Sequence, residues 1–256
     1  AEYARKPVMI VTESDAILNE AEQSRRSKTW HFKAENVRDF AWASSRKFQW
    51  DAQGYETRDD RQVMAMSYYP KEANPLWGKY STASLIHSMD VFGGHVFPYP
   101  YPVLISVNGK VGGMEYPMLA FNGPRPQKEK KTGETTYSRA TKHALISVVI
   151  HEAGHNWFPM IVNSDERRWT WMDEGLTTYL QFLAEQLWEE EYPSRRGEPR
   201  NIVNYMKGTN QVPIMTESES IKNFGANAYA KPATALVILR ETILGRELFD
   251  FAFSEY

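Results

Sequence analysis

The sequence predicts an α+β fold in which a strand-rich half precedes a mainly helical half. Apolar and polar residues alternate along residues 63–68, the period of a half-buried strand. Apolar residues recur at helical spacing along residues 176–187, and a Pro- and Lys-rich loop at residues 123–133 separates the two patterns. Runs of strands followed by runs of helices are typical of the α+β class.

These patterns predict one domain over residues 30–256. We expect a β-rich half at 30–134 and a helical half at 135–256. Residues 1–29 are charged and are predicted to be a linker or the end of a preceding domain. The charged start leads into no signal-peptide pattern, so it is interpreted as an internal cut, and the compartment is not predicted.

Composition narrows the class of protein. The chain has 256 residues, of which 42% are hydrophobic and 13% aromatic, enough for a globular core. Its net charge of -2 offers no basic excess for phosphates, which argues against nucleic acid as a partner. No apolar run has the length of a membrane span. With no cysteine, any metal site must use histidine and carboxylate ligands.

The first half is predicted to contain several strands. Short strands are expected at residues 8–11, 30–35, 40–43 and 63–68, with a polar loop at 51–61.

A helix and a hairpin are predicted next. Asn74-Pro75 indicates a helix start, with Asn74 as the cap, and Gly93-Gly94 indicates its end. A strand is then expected at 103–107. The turn signal Asn108-Gly109 predicts a hairpin and a returning strand at 111–121.

Two glycines and an acid stand inside that returning strand, as Gly112-Gly113-Met114-Glu115. Paired glycines in a strand often mark the close approach of another backbone. One interpretation is a peptide that adds itself to an open sheet edge. The other is a β-bulge that carries an exposed glutamate, and the residues alone leave both open.

The second half contains a metal-binding pattern, His151-Glu152-Ala153-Gly154-His155. Two histidines four residues apart lie on one face of a helix, and Glu152 stands where the H-E-x-x-H motif has its general base. The apolar run at 144–150 indicates that this helix is buried. Buried in this way, these polar groups would lack hydrogen-bond partners unless something binds them. The alternative is an ordinary core helix with satisfied histidines.

A catalytic zinc needs a third protein ligand. The metzincin pattern is excluded, because it needs Gly and His where this chain has Phe158 and Ile161. Glu174, at the start of the helix at 176–187, is the predicted ligand. The neighbouring Asp173 is interpreted as the cap of that helix. Further helices are predicted at 233–244, with Pro232 near the first turn, and at 247–256.

Three stretches together resemble the aminopeptidase N family of gluzincins, which includes the leukotriene hydrolase type. They are H-E-x-x-H followed by Glu174, the G-x-M-E segment that ends at Glu115, and Tyr229-Ala230-Lys231. The resemblance covers about residues 30–250 in order and spacing, and three motifs are more specific than one.

The resemblance implies a thermolysin-like (zincin) catalytic domain with one zinc ion. In such a domain a mixed β-sheet half and a mainly helical half lie on the two sides of the active-site cleft. His151, His155 and Glu174 would bind the zinc, and Glu152 would polarise the zinc water and shuttle its proton. Tyr229 would donate a hydrogen bond to the oxyanion of the reaction.

The resemblance also implies how substrate is held. Glu115 matches the glutamate that binds the free amino terminus, and the backbone of Gly112 and Gly113 would lie along the peptide. Tyr116 stands where the family has Asn, so the site is reshaped there. The β-rich domain that precedes the family's catalytic domain and the helical domain that follows it do not fit in this chain, so flanking domains are expected.

The resulting hypothesis is a zinc metalloaminopeptidase that acts on peptide or protein N-termini. Two alternatives remain: an endopeptidase with the same zinc site, and a non-catalytic zinc-stabilised domain that binds a partner. The second alternative would be expected to have lost Glu152 or a ligand, and the sequence retains them all.

Overall fold

A mixed five-stranded sheet organises the first half of the described chain. The computed structural model describes residues 31–256, and the predictions for residues 1–30 lie outside it. The strands run in the order β1-β2-β3-β5-β4 across the sheet. Their bounds are β1 Phe48–Glu56, β2 Gln62–Pro70, β3 Val103–Asn108, β4 Gly113–Met114 and β5 Leu119–Asn122. A small separate ribbon pairs β6 (Gln127–Lys128) with β7 (Thr135–Thr136).

Strand β1 occupies most of the segment that was predicted to be a loop at residues 51–61, so that prediction is wrong. The strand pairs antiparallel with β2 along its whole length, with Gly54 opposite Met64. A tight turn joins them, in which the Thr57 amide donates to the Arg61 carbonyl at 2.9 Å. As an edge strand, β1 tolerates polar residues and a glycine, so its sequence lacks the apolar–polar alternation that indicates a strand.

Two strands predicted near the start of the domain are absent from the described residues. Residues 31–35 and 40–43 contain no strand. Phe32, Phe40 and Trp42 leave 58%, 51% and 67% of their surface exposed. Their apolar alternation therefore does not mark a core-facing strand.

The hairpin predicted at Asn108-Gly109 is also wrong, because β3 and β5 are parallel. The chain leaves β3, passes through β4 at the sheet edge and re-enters as β5 beside β3. Strand β4 pairs only with β5, antiparallel, with Gly113 opposite Asn122. A local turn signal reports a reversal of the chain but not which strand it joins.

Helix α1 (Leu76–His95) connects the parallel strands β2 and β3 and packs on the sheet. It begins as predicted next to Asn74-Pro75, although Pro75 and not Asn74 occupies the capping position. Gly93 and Gly94 lie inside the helix, which ends at His95. A parallel pair of strands needs such a crossover connection.

Helix α2 (Arg139–Gly154) carries the H-E-x-x-H sequence. The Ser138 hydroxyl caps it by accepting from the Thr141 amide at 3.1 Å. Its apolar face is fully buried against α1 and the sheet, through Leu145, Ile146, Val149 and Ile150. Each such side chain contributes roughly 1.5–3 kcal/mol by leaving water.

The remaining helices form the second half of the domain. They are α3 (Leu176–Trp188), α4 (Pro199–Met206), α5 (Lys231–Ile238) and α6 (Arg246–Glu255). The helix predicted at 233–244 divides into α5 and a π-helical turn, Leu239–Ile243. Another π-helical turn, Trp171–Gly175, leads directly into α3. Within residues 31–256, no helix combines the length and apolar character needed to cross a bilayer.

Candidate metal centre and substrate cleft

The polar end of α2 meets the π-helical turn before α3. His151, Glu152 and His155 are buried, with 9%, 6% and 1% of their surface exposed. Glu174 comes from the turn Trp171–Gly175, and Glu152 projects toward the sheet edge at β4. Four ionisable side chains therefore converge where the helical half meets the sheet.

Three of these side chains have the spacing of a tetrahedral metal site. Nε2 of His151 lies 2.9 Å from Oε2 of Glu174 and 3.2 Å from Nε2 of His155. Nε2 of His155 lies 3.4 Å from the same Glu174 oxygen. Zinc bonds of about 2.0–2.2 Å at tetrahedral angles place ligand atoms about 3.3 Å apart. The donor set and its geometry therefore fit one zinc ion.

A relay of buried polar groups orients His151. Its Nδ1 lies 2.9 Å from Oε1 of Gln181, and the Gln181 amide donates to Glu185 at 2.7 Å. Because the glutamine presents its oxygen, Nδ1 of His151 carries the hydrogen and Nε2 keeps its lone pair for a metal. Only 2% of Glu185 is exposed, so burial raises its pKa.

His155 is oriented by one hydrogen bond and by an adjacent carboxylate. Its Nδ1 lies 3.0 Å from the Phe158 carbonyl and 2.8 Å from Oδ1 of Asp173. Asp173 is therefore not the helix cap that the sequence suggested. Gly175 precedes α3, and the Asp173 carboxylate is buried beside the histidine. The second nitrogen of His155 is left to face Glu174.

The electrostatics favour an ionised Glu174. Burial raises the pKa of its carboxyl, but the neighbouring His151 and His155 outweigh burial and hold the pKa below its ordinary range. Burial lowers the pKa of His155, while Asp173 and Glu174 outweigh it and raise that pKa. A cluster that attracts a proton this strongly offers the same electrons to a metal cation.

Glu152 stands next to the predicted ligands without belonging to them. Burial raises its pKa to about 7, against the lowering effect of His151 and His155. Its Oε2 atom has no hydrogen-bond partner among the described residues. Ligand atoms of Glu152, Glu115 and His155 lie within 4.8 Å of one another.

The edge strand β4 contacts Glu152 through Gly113. A Cβ atom at Gly113 would overlap the Glu152 carboxylate and lie 2.8 Å from Cγ2 of Val148. At Gly112 the same atom would meet nothing within 4 Å. Gly113 is thus required for the close approach of strand and helix, whereas Gly112 is exposed.

Tyr229 lies on the far side of the cluster, in the π-helical turn Gly225–Ala230 that precedes α5. Its hydroxyl donates to Oε1 of Glu174 at 2.5 Å, and its ring stacks on His151 with centroids 5.8 Å apart. Burial and the Glu174 charge raise its pKa, so the hydroxyl keeps its proton. Arg196 covers the same ring, with Cζ 4.1 Å from the centroid.

Asn156 ties the Glu115 segment to the motif helix. Its side-chain oxygen accepts from the Met118 amide at 2.9 Å, and its amide donates to the Ala153 carbonyl at 3.1 Å. Met118 has a positive φ of 65°, an uncommon conformation that this contact helps to hold. The position of Glu115 relative to Glu152 thus depends on a residue next to the motif.

The structure places His151, Glu152, His155 and Glu174 together, with Glu115, Gly113 and Tyr229 beside them and the exposed Gly112 next to Gly113. Sequence reasoning missed the supporting residues Asn156, Gln181, Glu185 and Arg196. A signal existed only for Gln181, which follows Glu174 by two helical turns and so shares its face. The other contacts join elements that are distant in sequence, where spacing carries no information.

A fold of this kind, with two helical histidines opposite a glutamate on a neighbouring helix, defines a three-ligand metal centre of the metallopeptidase type. The profile of the Peptidase family M1 domain matches residues 84–256. The chain belongs to peptidase family M1.

Curated relatives agree with this assignment. Leukotriene A-4 hydrolase from Xenopus laevis is 28% identical over 195 residues, which cover 72% of this chain and 27% of that protein. Aminopeptidase N from Homo sapiens is 22% identical over 184 residues, covering 66% of this chain and 18% of that protein. The chain therefore spans about a quarter of these relatives or less.

Solved structures share the fold. An M1 zinc metallopeptidase from Deinococcus radiodurans superposes with a TM-score of 0.58 at 19% identity, covering 81% of this chain and 44% of that one. Aminopeptidase A from Legionella pneumophila has the same TM-score of 0.58 at 18% identity, and covers 81% and 24%. The mixed sheet with helices is thus an M1 fold, and zinc is the cofactor that the family implies for this chain.

Proposed function

We propose that this chain is the catalytic unit of a zinc-dependent aminopeptidase that hydrolyses N-terminal peptide bonds. The convergence of His151, His155 and Glu174 beside the unpartnered Glu152 carries the proposal. In this proposal residues 30–256 form a thermolysin-like domain, with the halves 30–134 and 135–256 on the two sides of the cleft. Residues 1–29 would be a linker or the end of a preceding domain.

His151, His155 and Glu174 would hold one zinc ion. Their mutual separations of 2.9–3.4 Å support this assignment. Bound zinc supplies Lewis acidity, which lowers the pKa of water to about 7 and polarises a carbonyl group. The hydrogen bonds from the histidines to Gln181 and Phe158 would fix the tautomers that leave both Nε2 atoms free.

Glu152 is the proposed general base. Its Oε2 has no hydrogen-bond partner among the described residues, so it can take a proton from the attacking water and return it to the leaving amine. Because Glu152 follows His151 directly on α2, the helix holds its carboxylate at a fixed distance from the ligands.

Tyr229 is the proposed donor to the oxygen that gains charge in the transition state. Its hydroxyl lies at the edge of the ligand set, within hydrogen-bonding distance of Glu174. The stacking on His151 and the packing under Arg196 limit its motion. A donor that is already oriented loses little free energy in reorganisation.

Glu115 is the proposed binding group for the free amine of the substrate. It follows the edge strand β4, whose outer side pairs with no strand of the described sheet. A peptide could add to this edge, with the backbone of Gly112 and Gly113 along it, and bring its amine to Glu115. The carboxylate in reach of the amine would make the enzyme an exopeptidase.

The expected substrates are peptide or protein N-termini. The small share of each relative that this chain covers supports further domains in the whole protein. Those domains would complete the walls of the cleft.

The Tyr116 ring packs edge-on against Phe121 with centroids 6.0 Å apart, at the position where the family resemblance has Asn.

Metal content and turnover test the proposal together. The protein is purified, its zinc is quantified, and it is assayed on free and N-acetylated forms of one fluorogenic peptide. One zinc per chain with cleavage of the free form alone is the expected result. Cleavage of both forms would indicate an endopeptidase, and zinc without cleavage a binding domain. Absence of zinc binding would contradict the assignment of the ligands.

A further inference from the structure

Arg196 is a half-buried cation at the edge of the cleft. It lies in the connection between α3 and α4, and its guanidinium covers the ring of Tyr229 at 4.1 Å. Burial lowers its pKa, while Tyr229 and Glu174 oppose that change. A cation–π contact stabilises the charge but uses none of the five N–H donors.

Within residues 31–256, the Arg196 guanidinium makes no ion pair and no hydrogen bond to another residue. Two other described arginines that are withdrawn from water are paired. The buried Arg240 donates to Asp250 at 2.5 and 2.7 Å, and the half-buried Arg61 donates to Asp59 at 2.8 Å. Removing guanidinium donors from water without acceptors is costly. The contrast therefore indicates a group whose acceptor comes from outside the fold.

The Glu174 carboxylate does not fill this role. Its two oxygens already accept from Tyr229 and contact both histidines. The nearby Glu185 is equally engaged, by Gln181 and Ser194. The two carboxylates that act electrostatically on Arg196, Glu174 and Glu185, are therefore both occupied by other donors.

Charge is distributed unequally across the cleft. Glu115 clusters with Glu152 and His155, while Tyr229 and Arg196 contact the His151 and Glu174 side. A bound peptide with its amine at Glu115 would direct its opposite end away from that carboxylate. Arg196, beside Tyr229, is suited to bind a negative group at that end of the peptide. Its planar guanidinium can donate two parallel hydrogen bonds to a carboxylate.

We propose that Arg196 binds the C-terminal carboxylate of a short peptide, so that the cleft favours substrates of a few residues with a free carboxylate. This inference rests on the proposed aminopeptidase function and names the class of substrate. A main-chain carbonyl of a longer peptide is the competing occupant, which offers one acceptor and no charge.

Tri-alanine and its C-terminal amide distinguish the two occupants. Wild-type protein should cleave the acid with a kcat/KM about 10- to 100-fold above that of the amide, mainly through KM. Arg196→Met should remove this preference, so that its kcat/KM for the acid falls to its kcat/KM for the amide. Arg196→Lys should retain a smaller preference, because it keeps the charge without the fork. The exposed neighbour variant Arg195→Met should behave as wild type.

Binding is measured separately by calorimetry on zinc-loaded Glu152→Gln protein, alone and combined with Arg196→Met, Arg196→Lys or Arg195→Met. Equal affinity for acid and amide would overturn the inference, as would equal losses on both peptides. Undetectable binding of both peptides would also overturn it. If the wild-type protein cleaves neither peptide, the aminopeptidase proposal fails. Tighter binding of the acid than of the amide, lost in Arg196→Met, would then still support the inference. If Arg196→Met lowers the Tm, the test rests on Arg196→Lys, which should show a smaller preference for the acid than wild type does.

Discussion

Gly113 on β4 and Glu152 on α2 are in contact with no space for a side chain between them. A Cβ atom at Gly113 would overlap the Glu152 carboxylate, and Val148 closes the other side at 2.8 Å. The backbone of the sheet edge therefore packs directly against the side chain of the proposed general base. A change that separates them would move the proposed peptide-binding edge away from the proposed general base, Glu152.

Gly113→Ala should lower kcat/KM by about 100-fold, because displacement by about 1 Å in a reacting geometry costs that much. Zinc content should be unchanged, since the ligands lie elsewhere on α2 and before α3. Gly112→Ala is the matched control, and its methyl group meets no atom within 4 Å. A loss beyond a few-fold in that control would show that glycine is needed there for another reason.

Glu152→Gln should retain one zinc per chain and lower kcat by about 10²- to 10⁴-fold, the range for a lost general base. The amide keeps the shape of the carboxylate but does not accept the proton. Metal analysis and steady-state kinetics on the same preparation check this. Full activity in the variant would remove Glu152 from the mechanism.

Tyr229→Phe should lower kcat by about 10²- to 10³-fold with little change in KM, as expected for a donor used mainly in the transition state. The ring contacts with His151 and Arg196 are kept, so the fold should persist. Tyr205→Phe is the control, because its hydroxyl donates to Asn227 at 3.1 Å away from the ligands. An equal effect of both variants would point to stability instead.

Gln181→Leu should weaken zinc binding by about 10- to 100-fold, since it removes the acceptor that orients His151. Competition with a chelator measures the affinity without any assay of turnover. Gln186→Leu changes an exposed glutamine on the same helix and should bind zinc as wild type does. Unchanged affinity in Gln181→Leu would mean that the relay is dispensable.

Glu189 predicts a stability that depends on pH. It accepts from Lys142 at 2.6 Å and His143 at 2.5 Å, and these contacts outweigh burial and lower its pKa from 4.5 to about 2. A lowered folded-state pKa adds stability above the unfolded value, which is lost as the pH falls from about 4.5 toward 2. Glu189→Gln should therefore lower the free energy of unfolding by about 1 kcal/mol at neutral pH, after solvent screening.

Urea denaturation of wild type and Glu189→Gln between pH 7 and pH 3 measures that difference. The gap between the two proteins should narrow over the acid part of this range. Glu190→Gln, at an exposed position beside it, should show no such trend. A gap that stays constant with pH would assign the effect to packing.

The sequence was sufficient for the parts of the site that local geometry determines. The histidines of α2 share a face because the helix repeats every 3.6 residues, and Glu174 precedes a clear amphipathic run. The order of a strand-rich half followed by a helical half was also predictable from the two periods. Glu115 was found through motif resemblance, which carries information that periodicity does not.

Contacts across the sheet were not predictable in the same way. Asn108-Gly109 resembles a hairpin, yet β5 pairs in parallel with β3 because β4 takes the edge. Asp173 has the side chain of a helix cap, but its contact with His155 is set by how α2 meets α3. Such pairings depend on tertiary packing, which outweighs local propensity.

The shortness of β4 has a consequence for behaviour in concentrated solution. An open sheet edge is a template on which a second copy of the same chain can pair and start aggregation. With two residues, Gly113–Met114, this edge offers too few backbone groups for a lasting pairing between copies. Pairing between copies along β4 is therefore disfavoured, although no strand of the described sheet covers this edge.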